Sequence, residues 1–180
     1  MCPVARAVRY DFAMRHNSIV AAVLVIALSV TAFGQSDFDT YPARTVAELI
    51  TMHSGEASHG ADFVISADPF PSKSVVVFSG EHRPIDKKKK DFIGLWLETR
   101  GLEKERADML LEEYRFTEKG VDYWLPVVKP LAPFIEQELK QGDKIEIYFF
   151  FQGGYGPKET EAKNWVFVVE EFRKVVESPK

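Results

Sequence analysis

KIEIYFFFQ, residues 144–152, is apolar at every second position. Side chains alternate across a strand, so Ile145, Ile147, Phe149 and Phe151 share one face. The opposite face, Lys144, Glu146, Tyr148, Phe150 and Gln152, begins polar and ends aromatic. A strand with one fully apolar face and a half-covered second face belongs in the middle of a sheet, against a core. Downstream, WVFVVEEF (165–172) is a second strong strand, joined to the first by the Gly-rich segment 153–164. That segment has no Gly-Lys-Ser/Thr and opens no helix, so it is read as a turn rather than a phosphate loop.

Upstream, Pro130 and Pro133 introduce a short helix with Leu131, Ile135 and Leu139 on one side and Gly142 as its stop. Residues 115–117 and 121–127 flank Glu118-Lys119-Gly120 and read as a hairpin. Residues 103–114 carry Ala107, Leu110, Leu111 and Tyr114 at i, i+3, i+4 and i+7, the spacing of an amphipathic helix. A further helix is expected over 84–100, opened by Pro84 and ended by Gly101. Two short β-branched runs, 62–66 and 74–78, read as strands separated by the breakers Pro69 and Pro71. Thr45 and Glu48 form a capping box ahead of Val46, Leu49 and Ile50, so a helix starts there and stops near Gly55. Residues 35–44 show no periodicity and are expected to be a flexible N-terminal arm.

About six short strands interleaved with three or four short helices specify an α+β fold. The expected form is a small curled antiparallel sheet or partly open barrel. An OB-like barrel is one such form, by analogy of element order alone, and a fold does not by itself establish a function.

The first 34 residues read as a cleavable signal peptide. IVAAVLVIALSVTAF (19–33) follows Arg15 and His16, and small residues stand at Ala32 and Gly34. About fifteen apolar residues fall short of the roughly twenty of a spanning helix, which disfavours a retained anchor. Met14 opens a compact basic start, whereas Met1 would add an extension carrying Asp11. Cleavage leaves a single globular domain over 45–180 behind the arm, without the lone cysteine, Cys2. A thiolate nucleophile, a disulfide and a cysteine metal ligand are thereby excluded from the exported form. Losing Arg6, Arg9, Arg15 and Asp11 moves the net charge from −4 to −6. Such a domain offers no general attraction to nucleic acid or anionic lipid. It is expected in the periplasm or outside the cell, with no stable membrane insertion.

Several segments carry residues able to do chemistry or bind a ligand. His53, Glu56 and His59 supply a zinc-type ligand set, though not at the i, i+4 spacing that aligns two histidines on a helix. The competing reading is a histidine at a helix end followed by a polar loop. Glu81, His82 and Arg83 follow a strand; the first two could do acid–base work and the third could hold an anion, against the plainer reading of a solvated loop. On a strand, neighbours point to opposite sides, so Glu81 and His82 need not share a site. Lys87–Lys90 reads as the solvated first turn of a helix. The carboxylate pairs Glu112-Glu113 and Glu170-Glu171 read as solvated faces. Tyr148, Tyr155 and Trp165 gather near the Gly-rich turn, where exposed aromatics would bind sugars, peptides or a protein partner.

The sequence therefore favours an exported, non-catalytic binding module for an envelope protein or a small-molecule or saccharide ligand, needing no cofactor. The alternative is an exported hydrolase or metal-dependent enzyme built on His53, Glu56, His59 and His82, with zinc as the candidate ion.

Overall fold

The alternation at 144–152 lies within a longer strand, β5 (Lys144–Tyr155), which curves enough to hold two neighbours along one edge. Its first half pairs with β2 (Ser72–Pro84) and its last three residues with β1 (Phe63–Ile65). Its other edge is paired with β6 (Asn164–Lys174) throughout. The computed structural model describes residues 38–54, 62–156 and 164–175. Asp39–Lys180 is one compact unit and Met1–Phe38 another, of which only Phe38 is described. The expected signal segment, Glu56, His59 and most of the Gly-rich loop lie outside the described residues.

Five strands close on themselves. β2 pairs with β3 (Glu112–Glu118), β3 with β4 (Val121–Val127), and β4 runs parallel to β6 at Val127↔Val169. β6 returns to β5, and β5 to β2. Counted from β2, the order 1-2-3-5-4-1 is that of an OB-type Greek-key barrel, with β1 added at an edge. The α+β small-barrel expectation holds, and the barrel is closed rather than partly open. Ile145, Ile147, Phe149 and Phe151 point inward with Tyr114, Phe116, Leu125 and Phe167. Side chains fill the interior, as they do in barrels this small.

Two helices stop the ends. α1 (Val46–Ser54) buries Val46 and Leu49 in the main core, and α3 (Ala132–Glu138) contributes Ile135, flanked by Leu131 and Leu139. The capping box forms as expected: Glu48 N–H donates to Thr45 Oγ1 at 3.1 Å and Thr45 N–H to Glu48 Oε2 at 2.8 Å. Glu118, at the far end of β3 and 2% exposed, adds a second cap from across the fold. It accepts from the backbone N–H groups of Val46 (3.2 Å) and Ala47 (3.3 Å) and from the Ser74 hydroxyl. A buried carboxylate at a helix N-terminus matches both the free donors and the helix dipole. Glu118→Gln keeps one acceptor but loses the charge. It should cost about 1–2 kcal/mol in chemical denaturation, and an unchanged midpoint would show that the cap contributes nothing.

α2 (Lys87–Thr99) lies outside the barrel. Phe92, Ile93, Trp96 and Leu97 pack on Tyr155, Val166 and Val168, the outward residues of β5 and β6. Asp86 caps it, accepting from Lys89 N–H at 2.9 Å. The helix thus starts three residues after Pro84, which ends β2 instead. Ser79–Arg83, expected as a connecting loop, is strand for the same reason: β2 continues along β3 to Pro84↔Glu112.

The helix expected over 103–114 does not form. Lys104–Met109 is a 3-10 helix that tucks Ala107 under α2, and the chain then turns into β3. Tyr114 and Phe116 enter the main core at the period of a strand, whereas Leu111 stays exposed. Two periodicities overlap at 110–116, and pairing with both β2 and β4 selects period two. The arm expected to be flexible is tied down from Asp39 onward. Lys73 N–H donates to Pro42 C=O and Arg44 N–H to Lys73 C=O, both at 3.0 Å, and Arg173 pairs with Asp39. No helix among the described residues is long and apolar enough to cross a membrane.

Candidate functional site

Glu81, His82 and Arg83 sit beyond a register shift in β2, after Phe78. Strand alternation sends them to two places. Glu81 binds the Arg115 guanidinium on the outer surface of the sheet. Arg83 reaches the same surface, where its Nε–H donates to Glu113 Oε1 at 2.6 Å and its guanidinium lies 4.1 Å from the Trp124 ring centre. His82 points the other way. Its Nδ1 is 3.4 Å from Glu112 Oε2, and its ring stacks on Tyr114 with centroids 5.4 Å apart.

The outer surface of β2, β3 and β4 is thus built around Trp124. β3–β4 register sets Arg115 opposite Trp124 and Thr117 opposite Asp122. Asp122 accepts from Thr117 Oγ1 at 2.6 Å and lies 3.8 Å from Arg115. A half-buried indole is therefore ringed by Arg83, Arg115, Glu81 and Asp122, the charged groups being a third to a half exposed. Flat apolar carbon beside forked donors and carboxylate acceptors suits a ligand with alternating C–H and hydroxyl faces.

Below this surface lies a charge network that the lysine run did not suggest. Lys89 is only 6% exposed and Glu113 1%; Lys89 Nζ donates to Glu113 Oε2, opposite the Arg83 contact. The expectation of a wholly solvated Lys87–Lys90 is corrected here: the helix faces the barrel with one lysine, because a carboxylate waits beneath it. Tyr155 sits beside the same network, its hydroxyl pKa pushed up to about 12 by burial and then by the charges of Asp86 and Glu113.

His82 marks a second cluster at the barrel end closed by α3. One ligand atom each from His82, Glu112 and Glu136 lie within 4.8 Å of one another. The Tyr114 hydroxyl is 3.1 Å from a carboxylate oxygen of both Glu112 and Glu136. Burial, followed by these two carboxylates, holds that phenol well above its usual range.

The remaining sequence-derived candidates are dispersed. His53 ends α1 inside the protein, stacked on Phe151 at 4.5 Å and edge-on to Phe70 at 4.9 Å. Tyr148 is buried against Tyr41, with Lys73 and Arg173 over its ring; burial and Glu146 push its hydroxyl up to about 12. Tyr155 is under α2 against Phe92, and Trp165 packs half-buried on Phe151 in the main core. These aromatics lie on different faces of the sheet and form no common patch. A hollow of about 620 Å³ runs between α3 and the end of β6, lined by Pro130, Phe134, Phe172 and Arg173. Glu170, also on its wall, has its carboxyl pKa raised by burial. Trp124, Arg115 and Glu136 were not singled out by the sequence, because each becomes notable only through its partner on another element, and Glu113, read as part of a solvated pair, is instead buried at 1% exposure. No family model matches the chain, and no curated protein matches it.

Proposed function

We propose that the protein is an exported, non-catalytic binding module that holds a polar ligand of the saccharide class on the outer face of β2, β3 and β4. One observation carries this reading. α2 covers the outer face of β5 and β6 and side chains fill the barrel, while the β2–β3–β4 face carries a half-buried Trp124 with Arg83 over its ring and Glu81, Arg115 and Asp122 partly exposed on the same surface. β3 and β4 are the second and third strands of the barrel, the customary ligand face of OB-type folds; that support is fold-level analogy. The acidic balance disfavours a nucleic acid on the same face. Export rests on the N-terminal signal pattern. The enzyme alternative draws its best support from His82 rather than His53, whose ring is packed against Phe151.

The test is a titration of the purified protein with neutral oligosaccharides of envelope origin, followed by amide chemical shifts. Shifts should concentrate in β3 and β4, and Trp124→Ala should weaken binding at least tenfold while the rest of the spectrum is retained. Shifts confined to the α3–β6 hollow, or binding untouched by Trp124→Ala, would assign the ligand elsewhere.

A further inference from the structure

His82, Glu112 and Glu136 come from a β2 position beyond a register shift, the first residue of β3 and the middle of α3. Folding brings their ligand atoms together although His82 and Glu136 stand 54 positions apart in the sequence. We propose that these three side chains bind one first-row divalent cation, zinc in the first instance, at the α3 end of the barrel. This site is separate from the Trp124 face and independent of the reading given for it.

Three features of the cluster support the assignment. The first is the donor set: an imidazole with two carboxylates suits a borderline ion such as zinc rather than calcium or magnesium, which take oxygen alone. The second is spacing. Zinc–ligand bonds of about 2.0–2.2 Å at tetrahedral angles place neighbouring donor atoms about 3.4 Å apart. His82 Nδ1 and Glu112 Oε2 already stand at 3.4 Å, and Glu136 lies within a small adjustment of an exposed side chain. The third is charge. Two carboxylates are held within 4.8 Å, and among the described residues neither has a lysine or arginine within ion-pair distance. Lys129 lines the adjoining hollow of about 220 Å³ with both of them but makes no such pair. Tyr114 has one hydroxyl proton for two carboxylate neighbours at equal distance, so it can satisfy only one. A cation between the carboxylates removes that repulsion, and the hydroxyl then fixes one of them as an outer-sphere donor.

The experiment is equilibrium dialysis of untagged protein against zinc chloride, with manganese and magnesium chloride in parallel. Thermal melts of the same samples follow stability. The expected result is one zinc per chain, a weaker manganese response, no magnesium binding, and a melting temperature that rises with zinc and falls back with chelator. His82→Ala and Glu136→Gln should each lower zinc affinity at least tenfold. Both side chains are substantially exposed, so the melts without zinc should match the parent and show that folding is intact. No zinc uptake by the parent protein would overturn the assignment. So would uptake that survives the Glu112→Gln, Glu136→Gln double substitution.

Discussion

Glu113→Ala is expected to lower stability by about 3–5 kcal/mol, the cost of leaving a buried charge with no partner. In the native fold Glu113 is 1% exposed and takes Lys89 on one oxygen and Arg83 on the other. Arg83 is half exposed and can turn to water when the carboxylate goes. Lys89 cannot, because α2 holds its stem against the barrel. The charge is then solvated only by pulling α2 away, which exposes Phe92, Ile93 and Trp96. The melting temperature should fall by roughly 10–15 °C, and amide exchange should accelerate most over residues 87–99. Replacing both partners, Glu113→Met with Lys89→Met, should recover most of the loss, since an apolar pair of similar volume often matches a buried ion pair. A single-variant loss below about 1 kcal/mol, on a scale where buried-pair deletions cost several, would mean that Lys89 finds another route to solvent.

This pair also shows where sequence reading stops. Lys87–Lys90 is a lysine run, and composition alone turns all four to water. Which lysine faces inward depends on the angle at which α2 meets β5 and β6, and that angle is set by Phe92, Trp96 and Tyr155 packing together. The strands were easier. Ile145–Phe151 was legible as an inward face because period two admits no other arrangement for four apolar residues in alternation. The Glu103–Tyr114 segment failed because Ala107 and Leu110 satisfy a helical spacing while Tyr114 and Phe116 satisfy a strand. The conflict is settled only by the two neighbouring strands that β3 must join.

The proposed ligand face was partly within reach. Lys119 and Gly120 both have positive φ, the two-residue hairpin turn that makes Glu118 face Val121. That register alone places Arg115 opposite Trp124. What it could not supply was Arg83 over the indole, because β2 reaches β3 through a shift after Phe78. The cluster of His82, Glu112 and Glu136 was hidden by its span across three elements. His82 drew notice as a titratable side chain beside Glu81, from which the fold separates it, and Glu112 as half of a solvated carboxylate pair; Glu136 drew none.

Gly153→Ala is expected to detach β1 from β5. Gly153 has φ +127°, a region that residues with a Cβ rarely adopt. A methyl group there would fall on the Val64 carbonyl oxygen, 3.0 Å from its carbon and 3.2 Å from Ile65 Cα. All three are backbone atoms, which cannot rotate aside as a side-chain tip does. β1 is only three residues long, held through Ile65↔Gly153 and its neighbours and by Ser66 N–H donating to Gln152 C=O at 3.1 Å. The cheapest relief is therefore to release β1. That relief gives up the burial of Val64 and the stacking of Phe63 on Phe92, and it frees the backbone carbonyl of Ser66 from Arg100. Backbone strain of about 1–3 kcal/mol with the lost burial of one valine gives a total near 3–4 kcal/mol. Gly120→Ala supplies the contrast. Gly120 also has positive φ but nothing lies within 4 Å of its added methyl, so only about 1–2 kcal/mol of left-handed strain is expected. Hydrogen exchange should separate the two variants further. Gly153→Ala should expose the amides of 63–66 and leave β3 and β4 protected, whereas Gly120→Ala should leave β1 protected. Equal losses in the two proteins, or a β1 that stays protected in Gly153→Ala, would show that β5 can move away from Val64. The bend of β5 would then not depend on having no side chain at that point.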